Sequence, residues 1–338
     1  MVARVALGLS LIAFLALSGA IDGSRLLRLA TAWRLTAGAL LLLFLTVLAS
    51  SWRLCVLLSG QGLHLPLSAS LRLTLVGALF SNFLPGSSGG DLVRVVLAAR
   101  SNAGQRTEIA TTLLIDRAIG LVALLLAPLL IAAAGHNLIP RTAPLRGMVS
   151  AAALGLVGLL VVLAVAAHPD GLVRRFVTWA VGRSRLGLHV ERVFESIRVH
   201  RRNRRIVLAA VALSLVIQAL VIAAIQLILL ANGARSPNWA AALLTPFGML
   251  ANALPLTPGG LGVGEAAFES LFLFAGVTGG AEAILSWRVL TTLIDLCGGL
   301  VLVAGRTDVR MMRRAARPSA PAAAPRADGA IGYDIGSS

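Results

Sequence analysis

The sequence predicts an all-α integral membrane protein: about six full transmembrane helices plus two re-entrant broken-helix hairpins in an inverted repeat. Three observations carry this expectation. The 338-residue chain is 57% hydrophobic and 13% charged, with a mean hydropathy of +0.87, a composition that needs several membrane spans to bury it. Two long apolar runs are broken in the same way, by NFLPGSSGGDLVR at 82–94 and by NALPLTPGGLGVGE at 252–265. A second echo follows each break: LIDRAIGLV at 114–122 and LIDLCGGLV at 293–301.

Taken in order, residues 2–21 form an apolar run ending in small residues, read as a first span in preference to a cleaved signal peptide. Residues 35–58 are long enough to cross at about 1.5 Å per residue, with Trp52 and Arg53 as an interfacial anchor. The stretch 67–100 is too short for two crossings once its Pro-Gly-Ser-Ser-Gly-Gly break is removed. It therefore enters and leaves on one side, which a bilayer tolerates only where protein or water lines the break. Residues 109–135 and 147–167 cross next, and the latter leads into a 171–205 link with ten arginines against two glutamates. Residues 206–231 cross back, 239–277 make the second broken hairpin, and 283–304 make the last span. The polytopic domain thus occupies 1–305, and 306–338 is a basic, then Pro/Ala/Gly-rich tail expected to be disordered.

The net charge of +16 is all arginine on the basic side, because there is no lysine. The arginines lie in links and no aromatic platform accompanies them, so they fix topology and do not read nucleic acid. The charge puts 171–205 and the tail in the cytoplasm, and the N-terminus with them. Three full spans then separate the hairpins, which enter from opposite sides. Arg25, Arg28 and Arg34 run against this count, falling in a link it places outside. Cys55 and Cys297 lie in apolar segments and the five histidines lack metal-ligand spacing, so no disulfide framework, metal or other cofactor is expected.

The first break offers an anion site. Ser87, Ser88, Gly89 and Gly90 allow successive backbone N–H groups to converge, Asp91 suits the N-cap that follows, and Arg94 lies three residues further on. Asn82 and Pro85 in this break are echoed by Asn252 and Pro255 in the second, which continues with Pro258, Gly259 and Gly260. There the nearby charges are Glu265 and Glu269, one turn apart, with Arg288 the nearest cation in sequence. GxxxG pairs occur at Gly86/Gly90 and Gly260/Gly264, a spacing that also serves plain helix packing. Asp116 and Asp295 are the echoed acids of the spans that follow. A charge in a span costs about 2.5–3.5 kcal/mol, so each needs a partner or a pathway. Arg94 and Arg288 are the partners the sequence suggests for Asp116. This assigns Ser87, Ser88, Gly89, Gly90, Asp91, Arg94, Arg117 and Arg288 to an anion such as a phosphate, and Asp116, Glu265, Glu269 and Asp295 to gating or coupling. No nucleophile–base pair, P-loop or HExxH pattern points to catalysis, and the chain is read as a non-enzyme.

These motifs, with DRAIGL at 116–121 and the arginine of SWR at 286–288, resemble the lysylphosphatidylglycerol synthase transmembrane region, a flippase-like family, over about residues 5–305. The resemblance extends to its hopanoid-associated branch. It implies a multi-pass protein of the bacterial inner membrane that moves a lipid, with membrane lipids, anionic ones above all, as its partners. A lipid-biosynthesis enzyme is a further implied partner. Only 306–338 follows the matched part, so the soluble aminoacyl-transferase domain of fused members is not expected here, nor is aminoacylation. The rival readings are a non-transporting scaffold or accessory subunit of a lipid-modifying or glycosyltransferase system, and a small-solute carrier.

Overall fold

The computed structural model describes residues 23–63, 65–81, 94, 106–135, 137, 139–140, 142–166, 203–253 and 262–304. These residues form α1 (Gly23–Thr31), α2 (Trp33–Gly60), α3 (Leu67–Ser81), α4 (Arg106–Ala134), α5 (Ala143–Ala166), α6 (Arg204–Ala231), α7 (Asn238–Asn252), α8 (Val263–Phe274) and α9 (Gly280–Ala304). Among the described residues there is no strand. The expected first span at 2–21, the body of the arginine-rich link and the tail lie outside the described residues.

Among the described residues, four helices are long and apolar enough to cross a membrane: Trp33–Gly60, Ile109–Ala134, Ala143–Val165 and Arg204–Ala231. Their outward faces are aliphatic. On α5, Leu154, Val157, Val161 and Val162 are all exposed, as a lipid-facing helix requires. The expected sixth span corresponds to α9, 25 residues long, which carries Glu282, Arg288 and Asp295. Pro128 sits inside α4, a residue that spanning helices tolerate better than soluble ones.

The longest interface joins α2 to α6. Gly38 abuts Leu227 while Arg53 bonds Ser214, so the two helices run antiparallel. α3 packs on α2 and α9, and α7 packs on α6 and α4. α4 also meets α2, α5 and α6, and α9 meets α1, α2, α6 and α8. The main core lies where α2, α6, α7, α8 and α9 converge, around Leu43, Ile225, Ile228, Leu243, Leu244, Phe268, Phe272 and Ile284. Two glycines allow the closest approaches around α8. The Phe268 ring lies on Gly248 of α7, and the backbone of Phe268 lies against Gly280 of α9.

Arg28 and Glu282 form an ion pair at 3.1 Å, each side chain about two-fifths exposed, and tie α1 to the first turn of α9. One of the three arginines that run against the expected topology thus has its charge answered by a carboxylate.

Candidate functional site

Among the described residues, buried charge collects in two places. The first is on α2, α4 and α6. Asp116 is 5% exposed and accepts two hydrogen bonds from Arg53, at 2.6 Å from Nε and 2.9 Å from Nη2. The remaining Arg53 arm, Nη1, donates to Ser214 Oγ at 2.7 Å, and that hydroxyl donates onward to the Ala210 carbonyl at 2.8 Å. The planar fork of a guanidinium matches a carboxylate bidentately, and three helices are tied at one point.

This corrects two sequence expectations. Arg53 is not an interfacial anchor. It lies seven residues, roughly 10 Å, inside the end of α2, and it is buried at 8% exposure while its neighbour Trp52 faces outward at 58%. The partner of Asp116 is Arg53, not Arg94 or Arg288. The neighbour Arg117 lies on the exposed side of α4.

The second cluster is at the second break. α7 ends at Asn252 and α8 begins at Val263. Arg288, eight residues into α9 and 9% exposed, reaches both. Its Nη2 donates to Asn252 Oδ1 at 2.7 Å, and its Nε lies 3.4 Å from Glu265 Oε1. The other oxygen, Oε2, accepts the Gly262 N–H at 2.6 Å, so Glu265 also caps the helix it begins. The chain turns into α8 through Gly262 at φ +81°, a left-handed conformation suited to glycine. Gly264 is bare for a different reason: a Cβ there would run into Asn252 Oδ1 and Arg288 Nη2. The electrostatics are favourable throughout, with a cation at the negative end of α7 and a carboxylate at the positive end of α8.

Glu269 does not share this cluster. Its Oε2 accepts the Ala281 N–H at 2.8 Å, capping α9, so the two glutamates are separated in function by one turn. Asp295 is buried at 8% exposure on α9. Its position, seven residues after Arg288, puts both on one helix face with Thr292, which is 4% exposed. In the first half, Arg94 lies directly on Gly77 of α3 and donates from Nη2 to the Thr74 carbonyl at 3.2 Å. Gly77 with Arg94 and Gly248 with Phe268 are the same arrangement, a bare helix position covered by a large side chain from beyond the break. Asn82, Pro85, Ser87, Ser88, Gly89, Gly90, Asp91, Pro255, Pro258, Gly259 and Gly260 lie outside the described residues.

Arg53, Ser214, Thr74 and Gly77 were not singled out from the sequence as site residues. Only Arg53, a charge within seven residues of a span's end, carried a signal, and there it reads as an anchor.

The model of one family, described as lysylphosphatidylglycerol synthase TM region, matches residues 1–299. The chain belongs to this family. The match covers every described helix up to the last turns of α9 and identifies the chain as a membrane domain of the flippase-like type. No curated protein and no solved structure matches the chain.

Proposed function

We propose that this protein translocates a lipid with a phosphate-bearing headgroup across the bacterial inner membrane, without covalent chemistry on it. The observation that carries the reading is the Arg288–Glu265–Asn252 cluster: a membrane domain keeps a charged group buried where the end of α7, the start of α8 and the body of α9 meet, at a break in the chain. Charge at such depth is costly and marks a substrate or ion path more often than packing. α9, which bears Arg288, also packs on α3, the helix that leads into the first break. That packing supports a headgroup site between α3 and α9, with Arg94 on one side and Arg288 on the other.

The packing supports the inverted repeat on which alternating access would run. Exchanging α2 with α6, α3 with α7 and α4 with α9 turns the packed pairs into one another. α2–α3 becomes α6–α7, α3–α9 becomes α7–α4, α2–α4 becomes α6–α9, and α4–α6 becomes α9–α2. The antiparallel α2–α6 interface maps onto itself, as a two-fold axis in the membrane plane demands. The exchange also pairs the helices that carry the echoed Asp116 and Asp295.

The test is headgroup-quench scrambling of fluorescent phospholipids and isoprenyl-phosphate analogues in liposomes holding the full chain or its Arg94→Ala variant at matched incorporation. The reading expects movement by the wild type and its loss in the variant. A chain that inserts and moves no lipid, with a gradient supplied, points instead to the scaffold role.

A further inference from the structure

The two buried ion pairs are built differently. Arg53 and Asp116 make two short hydrogen bonds, and the third arm of the guanidinium is spent on Ser214. Arg288 and Glu265 stand 3.4 Å apart, beyond the 2.7–2.9 Å usual for a charge-assisted N–H···O bond. Glu265 is also better held elsewhere, because its second oxygen accepts the Gly262 N–H at 2.6 Å. The first pair is a fixed joint. The second is a contact that Glu265 can leave without losing its place at the start of α8.

We propose that Glu265 occupies an anion site on Arg288 and that a phosphate group takes its place, so that the carboxylate holds the site closed until a headgroup displaces it. The proposal rests on the lipid-transport reading above and adds its regulation. A guanidinium recognises a phosphate oxygen pair as readily as a carboxylate. Asn252 keeps Arg288 aimed while the anions exchange, through the bond from Nη2 to Oδ1. Gly264 keeps the approach clear, since any side chain there would fill the space beside Arg288. A phosphate entering while Glu265 remained in contact would meet like charge, and Asp295 lies on the same face of α9. The site therefore accepts an anion only as Glu265 swings out. The charges in play are Arg288, Glu265 and Asp295, with Glu269 committed to the Ala281 N–H.

The test is binding by the full chain in detergent, with dihexanoyl phosphatidic acid, inorganic phosphate and dihexanoylglycerol as probes. Glu265→Gln removes the charge but keeps an oxygen for the Gly262 N–H, as a capping position allows. If the competent state is about a tenth of the wild-type population, this variant binds the phosphatidic acid about tenfold more tightly. Arg288→Gln loses the binding, Arg288→Lys retains part of it, and dihexanoylglycerol binds to none of the variants. Phosphatidic acid bound more tightly than inorganic phosphate assigns the site to a lipid, whereas equal binding assigns it to a soluble phosphate; both support the exchange. Unchanged or weaker binding by a folded Glu265→Gln overturns it, as does unchanged binding by Arg288→Gln. Scrambling separates this from the function itself. Lipid movement with no Glu265 effect on binding defeats the exchange alone, and tighter binding with no movement in any variant defeats transport alone.

Discussion

At the scale of single residues, the protein separates charge that holds the fold from charge available for ligands. Arg53, Asp116 and Ser214 belong to the first kind. Removing one partner of such a pair leaves a buried charge alone and costs about 3–5 kcal/mol, so Arg53→Ala should lower the melting temperature sharply in detergent. The double variant Arg53→Met/Asp116→Leu should recover most of that loss, since apolar side chains of similar size replace buried ion pairs at little cost. A double variant no more stable than Arg53→Ala would show that the pair supplies more than mutual neutralisation. The need of Asp116 for a partner was legible in the sequence, because an acid in an apolar run is conspicuous. Its partner was not, because Arg53 is 63 positions away and beside a tryptophan near a span's end reads as an anchor. Only the antiparallel packing of α2 on α6 turns it inward. Arg288 and Glu265 were legible as neighbours of the second break, and the sequence even offered them as partners. Their geometry with Asn252 depends on where α7 stops and α8 starts, which no residue pattern specifies.

At the scale of elements, the helices around the second break are held by contacts that exclude side chains. Gly280 sits against the Phe268 backbone, which has no rotamer to move aside. Gly280→Ala should therefore push α8 from α9 and cost about 1–3 kcal/mol, the usual range for overpacking, measurable as a fall in melting temperature. Gly77→Ala acts differently. The added methyl meets the Arg94 side chain, which is flexible, so the fold should survive while Arg94 is displaced. Its scrambling rate should fall towards that of Arg94→Ala, and a wild-type rate would mean that the position of Arg94 over α3 is immaterial. Apart from α1, which forms in a stretch read as a link, the described helices were legible to within a few residues, because apolar length and flanking arginines define spans strongly. The 283–304 expectation became Gly280–Ala304 because Glu269, a residue of α8, caps the first turn at Ala281, a signal carried by a different helix.

At the scale of the whole molecule, family membership and a helical membrane fold are joined by packed pairs among α2, α3, α4, α6, α7 and α9 that match under exchange. The topology this exchange needs places Arg235 outside and Asn203 inside. With Cys55 and Cys297 replaced by serine, Arg235→Cys should react with an impermeant thiol reagent on intact spheroplasts and Asn203→Cys should not. Leu27→Cys should label with Arg235→Cys, because the Arg28–Glu282 pair puts α1 beside the start of α9. Labelling of Leu27→Cys from the inside would break that topology. The duplication was legible as two short echoes. Those echoes already pair α3 with α7 and α4 with α9; the pairing of α2 with α6 was not legible, because it rests on contacts between halves. Passage of a lipid headgroup past half-buried Arg94 and buried Arg288 is open to one comparison, scrambling by wild type, Arg94→Ala and Arg288→Gln at equal incorporation. Phospholipid movement by the wild type, reduced at least about tenfold in each variant, is the expected result, and corresponds to about 1.4 kcal/mol on the barrier. Equal rates in all three, or no movement in any, would contradict it.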